Sequence, residues 1–452
     1  MKFQFEKLGA INKAELELGD LTIICGKNNT GKTYVSYAIY GLLATWNNLD
    51  FKLAQEEIGD LLENGILKID LKQFGNNILK QINISERWTQ SIPAMFSANE
   101  GYFSETSCEV LIDYKPSYQN ELQFYLKTPK GKEILKAFKE KESPILEVTL
   151  LVEVENEKLI PPTHIIKSFI VEALGRVLLG YYFDIPFIIT AERIGISLFY
   201  RELDISKNVL VEQLQKQSKS PELFNFVEMV NNTVSRYAFP IKHNIDFIRD
   251  IFDIHSKKTS PLLKEHPEFA KDLKNLLGGE IKVINDQIFF AFKQARKNQI
   301  IPLYLSSSAV KSLLDLNFYI KHIAKEGNIL FIDEPELNLH PANQRKMARL
   351  FVRLISAGIK VFITTHSDYI IKEINASITL NNQFEGRKEI MKKYKYTEED
   401  VLDKNQVKVY IAEKNTLVAA SIDNSGIEVP SFDKDIDEMN DMYDDMLFAM
   451  DK

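Results

Sequence analysis

Polar and apolar positions alternate along "KFQFEKL" and "KAELEL", then give way to the unbroken apolar run of "DLTIICG". Alternation predicts two half-buried strands, and the β-branched run predicts a fully buried one. "KTYVSYAIYGLLATW" then continues as a helix, and the chain from about residue 50 to residue 180 reads as helix-rich and irregular. A buried strand returns in "DIPFIITAERIG", ending in the polar step Ala191-Glu192-Arg193. Residues 200–278 read as surface helices, with "SKSPELFNFVEMVNN" and "TSPLLKEHPEFAKDLKNLL" opening at plausible caps. "GGEIKVINDQIFFAF" predicts a hairpin turning at Asn285-Asp286. From "IIPLYLSSSAVKSLLDL" onward, strand and helix alternate. That alternation is the signature of an α/β fold.

No internal repeat, low-complexity tract or long heptad run is visible. The layout expected is a mixed-sheet α/β head split by a large, mainly helical insertion. Its pieces are 1–50, the insertion 51–180, a head strand at 181–200, a second helical insertion 201–278, the rest of the head at 279–420, and an acidic tail 421–452.

"GKNNTGKT" joins the buried strand to the helix and has the form G-x-x-x-x-G-K-[ST], with Gly26, Gly31, Lys32 and Thr33 in the fixed places. Lys27, Asn28, Asn29 and Thr30 complete the loop. Glycines let backbone N–H groups turn toward oxyanions, the lysine neutralises terminal phosphates, and the hydroxyl sits on Mg2+. The helix that follows favours anions at its N-terminus. A partner for such a loop is an apolar strand ending in an acid. "EGNILFIDEPELNLHP" supplies it, with Ile329 to Ile332 leading into Asp333 and Glu334. One carboxylate can reach the metal while its neighbour orients or deprotonates water. "GIKVFITTHSDYI" is a further β-branched strand ending at His366, on the edge where parallel α/β sheets bind ligands. His340 either shapes a turn or sits near a subunit interface.

Composition narrows the class. The 452 residues suggest roughly two to three domains. Apolar content of 45% and charged content of 26% are ordinary for a globular protein with a large core. No apolar run is long enough to span a bilayer, and the start lacks a signal-peptide core, so a cytosolic protein is expected. Two cysteines make no disulfide framework, and Cys25, on the strand entering the loop, reads as a small core residue. A net charge of −7 argues against unspecific coating of DNA. "SFDKDIDEMNDMYDDMLFAMDK" carries eight acids and two lysines, with Ile436, Met439, Tyr443, Met446 and Leu447 near helical spacing. A docked amphipathic helix with a solvated acidic face is expected there, a recruitment surface being the sharper alternative.

Taken together, the motifs resemble the ABC-class ATPase heads of the RecF/SMC and OLD-like group, specifically the AAA-15/AAA-21-type proteins of bacterial defence loci. "GKNNTGKT" looks like their Walker A, "ILFIDEPE" their Walker B, "DEPELNLHP" their D-loop and "TTHSDYI" their switch-histidine strand. "YLSSSAVKSLLDL" sits where that family carries its signature, usually serine followed by glycine; here Ser306, Ser307 and Ser308 precede Ala309. The resemblance implies ATP and Mg2+ as cofactors and two heads paired head-to-tail. In that pairing each ATP lies between the loop of one copy and the signature serine, Ser307 or Ser308, of the other, and rings of dimers occur among relatives. It further implies metal binding by Thr33 and Asp333, a general base in Glu334, and a phosphate sensor in His366. ATP is expected over GTP, because no N-K-x-D-type guanine selector lies in the α/β half.

OLD-type nucleases add a C-terminal catalytic domain of roughly a hundred residues. Here Glu413 ends a strand with no glycine after it, and Asp435 and Asp437 fall in the acidic helix, so no intrinsic nuclease is expected. Relatives of this size, such as the ATPase subunits of the Septu and PARIS systems, act with a separately encoded effector nuclease. A sensor-scaffold ATPase of that kind is the leading expectation. The alternatives are a RecF-like ATPase that clamps DNA, which the basic runs "KQARK" and "RKEIMKKYKY" permit, and a scaffold that uses ATP only as glue. Arg193 is a further candidate, set against a structural pairing with Glu192 or Glu202. A membrane-transporter head fits poorly.

Overall fold

The structure is a computed structural model that describes residues 1–47, 55–73, 83–115, 118–128, 131–151, 161–180, 182–199, 237–256, 259–294 and 297–450. The chain divides into two compact units. One comprises Met1–Phe3, Leu42–Gln90 and Cys108–Asp184, the other Gln4–Gly41, Ser91–Ser107 and Ile185–Lys452.

Strands β1 (Lys2–Leu8), β2 (Ile11–Glu17) and β3 (Leu21–Gly26) open the chain as their patterns predict. The smaller unit then contains β4 (Ile66–Asp70), β5 (Ser107–Leu111), β6 (Leu122–Lys127), β7 (Glu133–Lys139) and β8 (Ile145–Leu150). Four of these form an antiparallel sheet in the order β4-β8-β7-β6. The expectation of a mainly helical segment did not include this sheet. From Leu135 in "EILKAFK" and throughout "ILEVTL" burial alternates with period two, but Glu133, Lys136 and Glu147 at partly exposed positions favour helices and mask the strands. Helix Thr163–Leu179 does follow its pattern, burying Ile166, Phe169, Ile170, Ala173 and Leu174 along one side.

In the larger unit, β9 (Ile185–Ile189) is followed by a sheet of β10 (Glu280–Ile284), β11 (Gln287–Gln294) and β12 (Lys297–Pro302). Asn285 and Asp286 turn the β10–β11 hairpin with φ of 50° and 54°, as the pattern at that dipeptide predicts. Then come β13 (Asn328–Asp333), β14 (Lys360–Thr365), β15 (Val407–Glu413) and β16 (Thr416–Ala419). The main sheet has nine strands in the order β5-β1-β2-β16-β15-β3-β14-β13-β9. Its stretch β15-β3-β14-β13-β9 is parallel throughout. Every residue of β3 and of β13 is buried, as continuous apolar runs in a sheet covered on both faces should be.

Helices complete that core. Ile245, Ile248, Ile251, Leu273 and Leu276 pack with Ile23, Leu330 and Ile363. The expectation of a second, surface-exposed insertion at 201–278 is thus corrected for its described part, because helices Phe239–Arg249 and Glu268–Leu277 place their apolar residues in the head's own core. Residues 200–236, with "SKSPELFNFVEMVNN", lie outside the described residues.

The acidic segment does form a helix, Pro430–Met450. It is not docked as expected: Met439, Tyr443, Met446 and Leu447 are all exposed. The side chains of Asp435, Ile436 and Asp437 lie outside the described residues. Among the described residues no helix is long and apolar enough to cross a membrane.

Candidate nucleotide site

Register puts three strand ends side by side. Asp333 pairs with Thr364 across β13–β14, and Thr365 pairs with Cys25 across β14–β3, so residues 26, 333–334 and 366 emerge at one edge of the parallel sheet. Ligands bind at that edge in such sheets.

The loop leaving β3 is glycine-dependent for steric reasons. Gly26 and Gly31 have φ of 144° and 91°. A Cβ at Gly26 would lie 2.5 Å from the Ala412 carbonyl oxygen, and one at Gly31 would lie 2.8 Å from Ile11 Cγ1. Asn29 takes the left-handed φ of 61°, which asparagine tolerates better than most residues. Lys32 opens the helix Lys32–Thr45 and folds back, its Nζ donating to the carbonyls of Gly26 at 3.0 Å and Lys27 at 2.7 Å. Burial holds its pKa below the usual lysine value, opposed by the carboxylates of Glu334, Asp333 and Glu336. A buried ammonium at the start of a helix is suited to an anionic ligand, provided a cation offsets the three acids facing it.

Opposite the loop, Thr33 Oγ1 donates to Asp333 Oδ2 at 3.3 Å, across 300 positions of sequence. Thr364 Oγ1 donates to the other carboxylate oxygen. Burial pushes the Asp333 pKa up to about 6, with Glu334 and Glu192 adding to the rise. Glu334 has a left-handed φ of 49°, and its N–H donates to Thr364 O at 3.1 Å. Non-glycine residues in that region are uncommon and cluster at functional sites.

His366 joins the two sides. Its Nδ1 donates to the Gly26 carbonyl at 2.7 Å and its Nε2 lies 2.9 Å from Glu334 Oε1. A carbonyl can only accept, so Nδ1 carries a hydrogen and the second contact requires another proton between His366 and Glu334. The shifts agree: the hydrogen bond from His366 lowers the Glu334 pKa, and the bond to Glu334 raises that of His366. Each partner thus favours the charged form of the other.

The family model described as AAA_15, AAA ATPase domain, matches residues 6–371, a span that encloses the loop, Asp333, Glu334 and His366. The chain belongs to that family. No curated protein matches it. Among solved structures, the SMC head domain from Thermotoga maritima is 12% identical, with 93% of this chain and 98% of that one covered and a TM-score of 0.31. The Smc head domain from Pyrococcus furiosus, bound to the C-terminal domain of ScpA, is also 12% identical, with 98% of each chain covered and a TM-score of 0.31. Likeness at that level carries no argument about this AAA ATPase domain.

The residue types at the site fit a magnesium nucleotide. Among the described residues no group of three or more His, Cys, Asp or Glu could hold a metal alone. Mg2+ characteristically takes one or two protein oxygens and completes its shell with phosphates and water, and the neighbouring Thr33 and Asp333 oxygens offer such a pair.

Other candidates fall into place around this centre. Ser306 is buried and donates to Leu303 O, whereas Ser307 caps the helix Ser308–Ser312 by accepting from Val310 N–H at 3.4 Å. Ser307 and Ser308 are exposed, and among the described residues neither has a hydrogen bond to residues 26–33. His340 accepts from Ala342 N–H at the start of helix Pro341–Ser356, so it shapes that turn. The Cys25 thiol is buried and pushed up to about 12 by desolvation, as a core cysteine would be. Glu413 is an exposed strand end.

Among the described residues Arg193 has no pairing with Glu192; its guanidinium donates instead to backbone carbonyls, including those of Asp333 and Glu334. Glu202 lies outside the described residues. The sequence reading did not single out Glu336, Thr364 or Thr365. Glu336 Oε1 accepts from Thr365 Oγ1 at 2.9 Å and from His366 N–H at 2.6 Å, which fixes the backbone under the histidine. The third acid of "DEPE" and the paired threonines of "TTH" were the available signals.

Proposed function

We propose that this AAA ATPase domain binds ATP at the loop 26–33 and hydrolyses it. The observation that carries the reading is the chain of contacts from Gly26 through His366 to Glu334, beside the Thr33–Asp333 contact. Mg2+, when bound, would neutralise charge developing on the phosphate oxygens; Thr33 and Asp333 are the residues that would hold it. Lys32, now turned onto the Gly26 and Lys27 carbonyls, supplies the cation for the terminal phosphates. Glu334 accepts the proton of the attacking water, and His366 holds that carboxylate ionised and orients it.

Ser307 and Ser308 contribute from a second copy, since both are exposed at a helix start and unconnected to the loop of their own chain. On this reading the working unit is at least a homodimer of ABC-type heads. The biological reading rests on the motif resemblance: a sensor-scaffold of an anti-phage complex that controls a separately encoded nuclease, without nuclease chemistry of its own.

Replacing Glu334 with Gln in the full chain tests the chemistry. ATP hydrolysis should fall by roughly 10²–10⁴-fold while nucleotide binding survives, the range typical of a general base. Hydrolysis unaltered by that change rejects the assignment. Purification from native cells with a co-encoded nuclease bound would support the biological reading, and a chain isolated without one would count against it.

A further inference from the structure

Arg193 is 2% exposed, and it follows the strand β9 rather than any of the motifs above. Its Nε donates to Ser312 O at 3.1 Å, Nη1 to Thr190 O at 3.1 Å and Asp333 O at 2.8 Å, and Nη2 to Glu334 O at 2.8 Å. A guanidinium has five N–H donors in a fixed planar fork, so four are spent on carbonyls from three separate stretches of chain. Two of those carbonyls belong to the acids at the end of β13. Another belongs to the last residue of the helix that Ser307 caps and Ser308 opens.

Among the described residues that charge has no direct ion pair. Asp315, three positions beyond Ser312, is 1% exposed, and neither of its carboxylate oxygens has a hydrogen-bond partner. Burial pushes its pKa up to about 7, and the attraction of Arg193 pulls the other way. Among the charges acting on Arg193, that of Asp315 is the largest, ahead of Asp333, Glu336 and Glu334. A buried charge without a partner is costly, and natural cores keep few of them.

The geometry points to Arg193 as a positioning residue of the hydrolytic step: it ties the backbone of Asp333 and Glu334 to the end of helix Ser308–Ser312. This rests on the reading of Glu334 as the base. Movement of the serine-led helix is thereby passed to the Glu334 backbone, which already holds a strained left-handed conformation. A contact made by Ser307 or Ser308 at their exposed end would then be felt at the reacting carboxylate. Lysine cannot replace this arginine, because a single ammonium is a point charge that cannot span the fork's carbonyls.

The test compares wild type, Arg193→Lys, Arg193→Ala and Glu334→Gln in the full chain. Each is assayed for folding by thermal melting, for ATP affinity with a fluorescent ATP analogue, and for steady-state hydrolysis. Folded Arg193→Lys should bind nucleotide like wild type and keep its KM, yet lose roughly 10- to 100-fold in kcat, the cost of misplacing a catalytic group by about 1 Å. If Arg193→Ala fails to fold, Arg193→Lys decides by the same criterion. A folded Arg193→Lys with wild-type kcat, or one whose KM and affinity deteriorate in step with kcat, overturns the inference. A wild type that hydrolyses no ATP, or a Glu334→Gln variant as active as wild type, overturns the reading beneath it instead.

Discussion

His366 Nε2 sits 2.9 Å from Glu334 Oε1 while its Nδ1 donates to the Gly26 carbonyl, so one imidazole links the loop at residue 26 to the acid at residue 334. A carboxylate held in place by this imidazole is aimed, as a base for water must be. Removing the ring frees Glu334 to rotate and breaks the link to the loop. His366→Ala should therefore lower kcat by roughly 10- to 100-fold with nucleotide affinity little changed, by the same misplacement argument. Steady-state kinetics beside a binding titration check this; equal kcat in variant and wild type would contradict it.

Thr364 is 1% exposed, and its hydroxyl donates to Asp333 while also accepting from Glu334 N–H at 3.2 Å. Thr364→Val keeps the shape and removes both bonds. The Glu334 N–H keeps its bond to the Thr364 carbonyl, so the loss is that of the Asp333 oxygen left unsatisfied, about 1–3 kcal/mol. Urea unfolding of the variant should show a loss of that size, and an unchanged midpoint would mean the hydroxyl is dispensable.

Gly31 stands where a side chain meets two penalties, a φ of 91° and a Cβ position 2.8 Å from Ile11 Cγ1. Gly31→Ala should destabilise the loop by about 1–3 kcal/mol and weaken ATP binding more than it weakens global stability. Calorimetric titration with ATP on a folded variant reads the two effects separately.

His322 provides a pH test away from the site. Burial, helped by nearby His255 and Lys321, depresses its pKa from 6.5 to about 4. As pH falls below 6.5 the unfolded chain takes up a proton that the folded chain refuses until about pH 4, so stability declines across that window. The ring is only half-buried, so the loss attributable to it is about 1–2 kcal/mol after solvent screening. His322→Gln should flatten the acid limb of the stability profile between those limits. A profile with the same slope in both proteins would assign the acid sensitivity elsewhere.

The Cys25 thiol, raised to about 12 by burial, should resist iodoacetamide at pH 8 in the folded protein and react after denaturation. Mass spectrometry of labelled peptides distinguishes the two states. Labelling of the native chain at Cys25 would show that β3 opens locally.

Some of this molecule is written in short-range pattern. The strand, turn and helix across residues 20–46, the Asn285-Asp286 hairpin and the apolar run before Asp333 each follow from neighbours a few residues apart, because period and turn chemistry act locally. Glycine spacing and the paired acids named the chemistry for the same reason. The antiparallel strands of residues 66–150 escaped because their charged, helix-favouring residues take strand geometry only when neighbouring strands complete the ladder. Helices within 239–277 look like surface in sequence and become core because their apolar residues find Ile23, Leu330 and Ile363 across the fold. Tertiary structure alone decided that Arg193 would grip the carbonyls of residues 140 and 141 positions away, and that His366 would reach Gly26 across 340. Backbone carbonyls are present at every residue, so no residue type in a sequence marks which of them a buried guanidinium will choose.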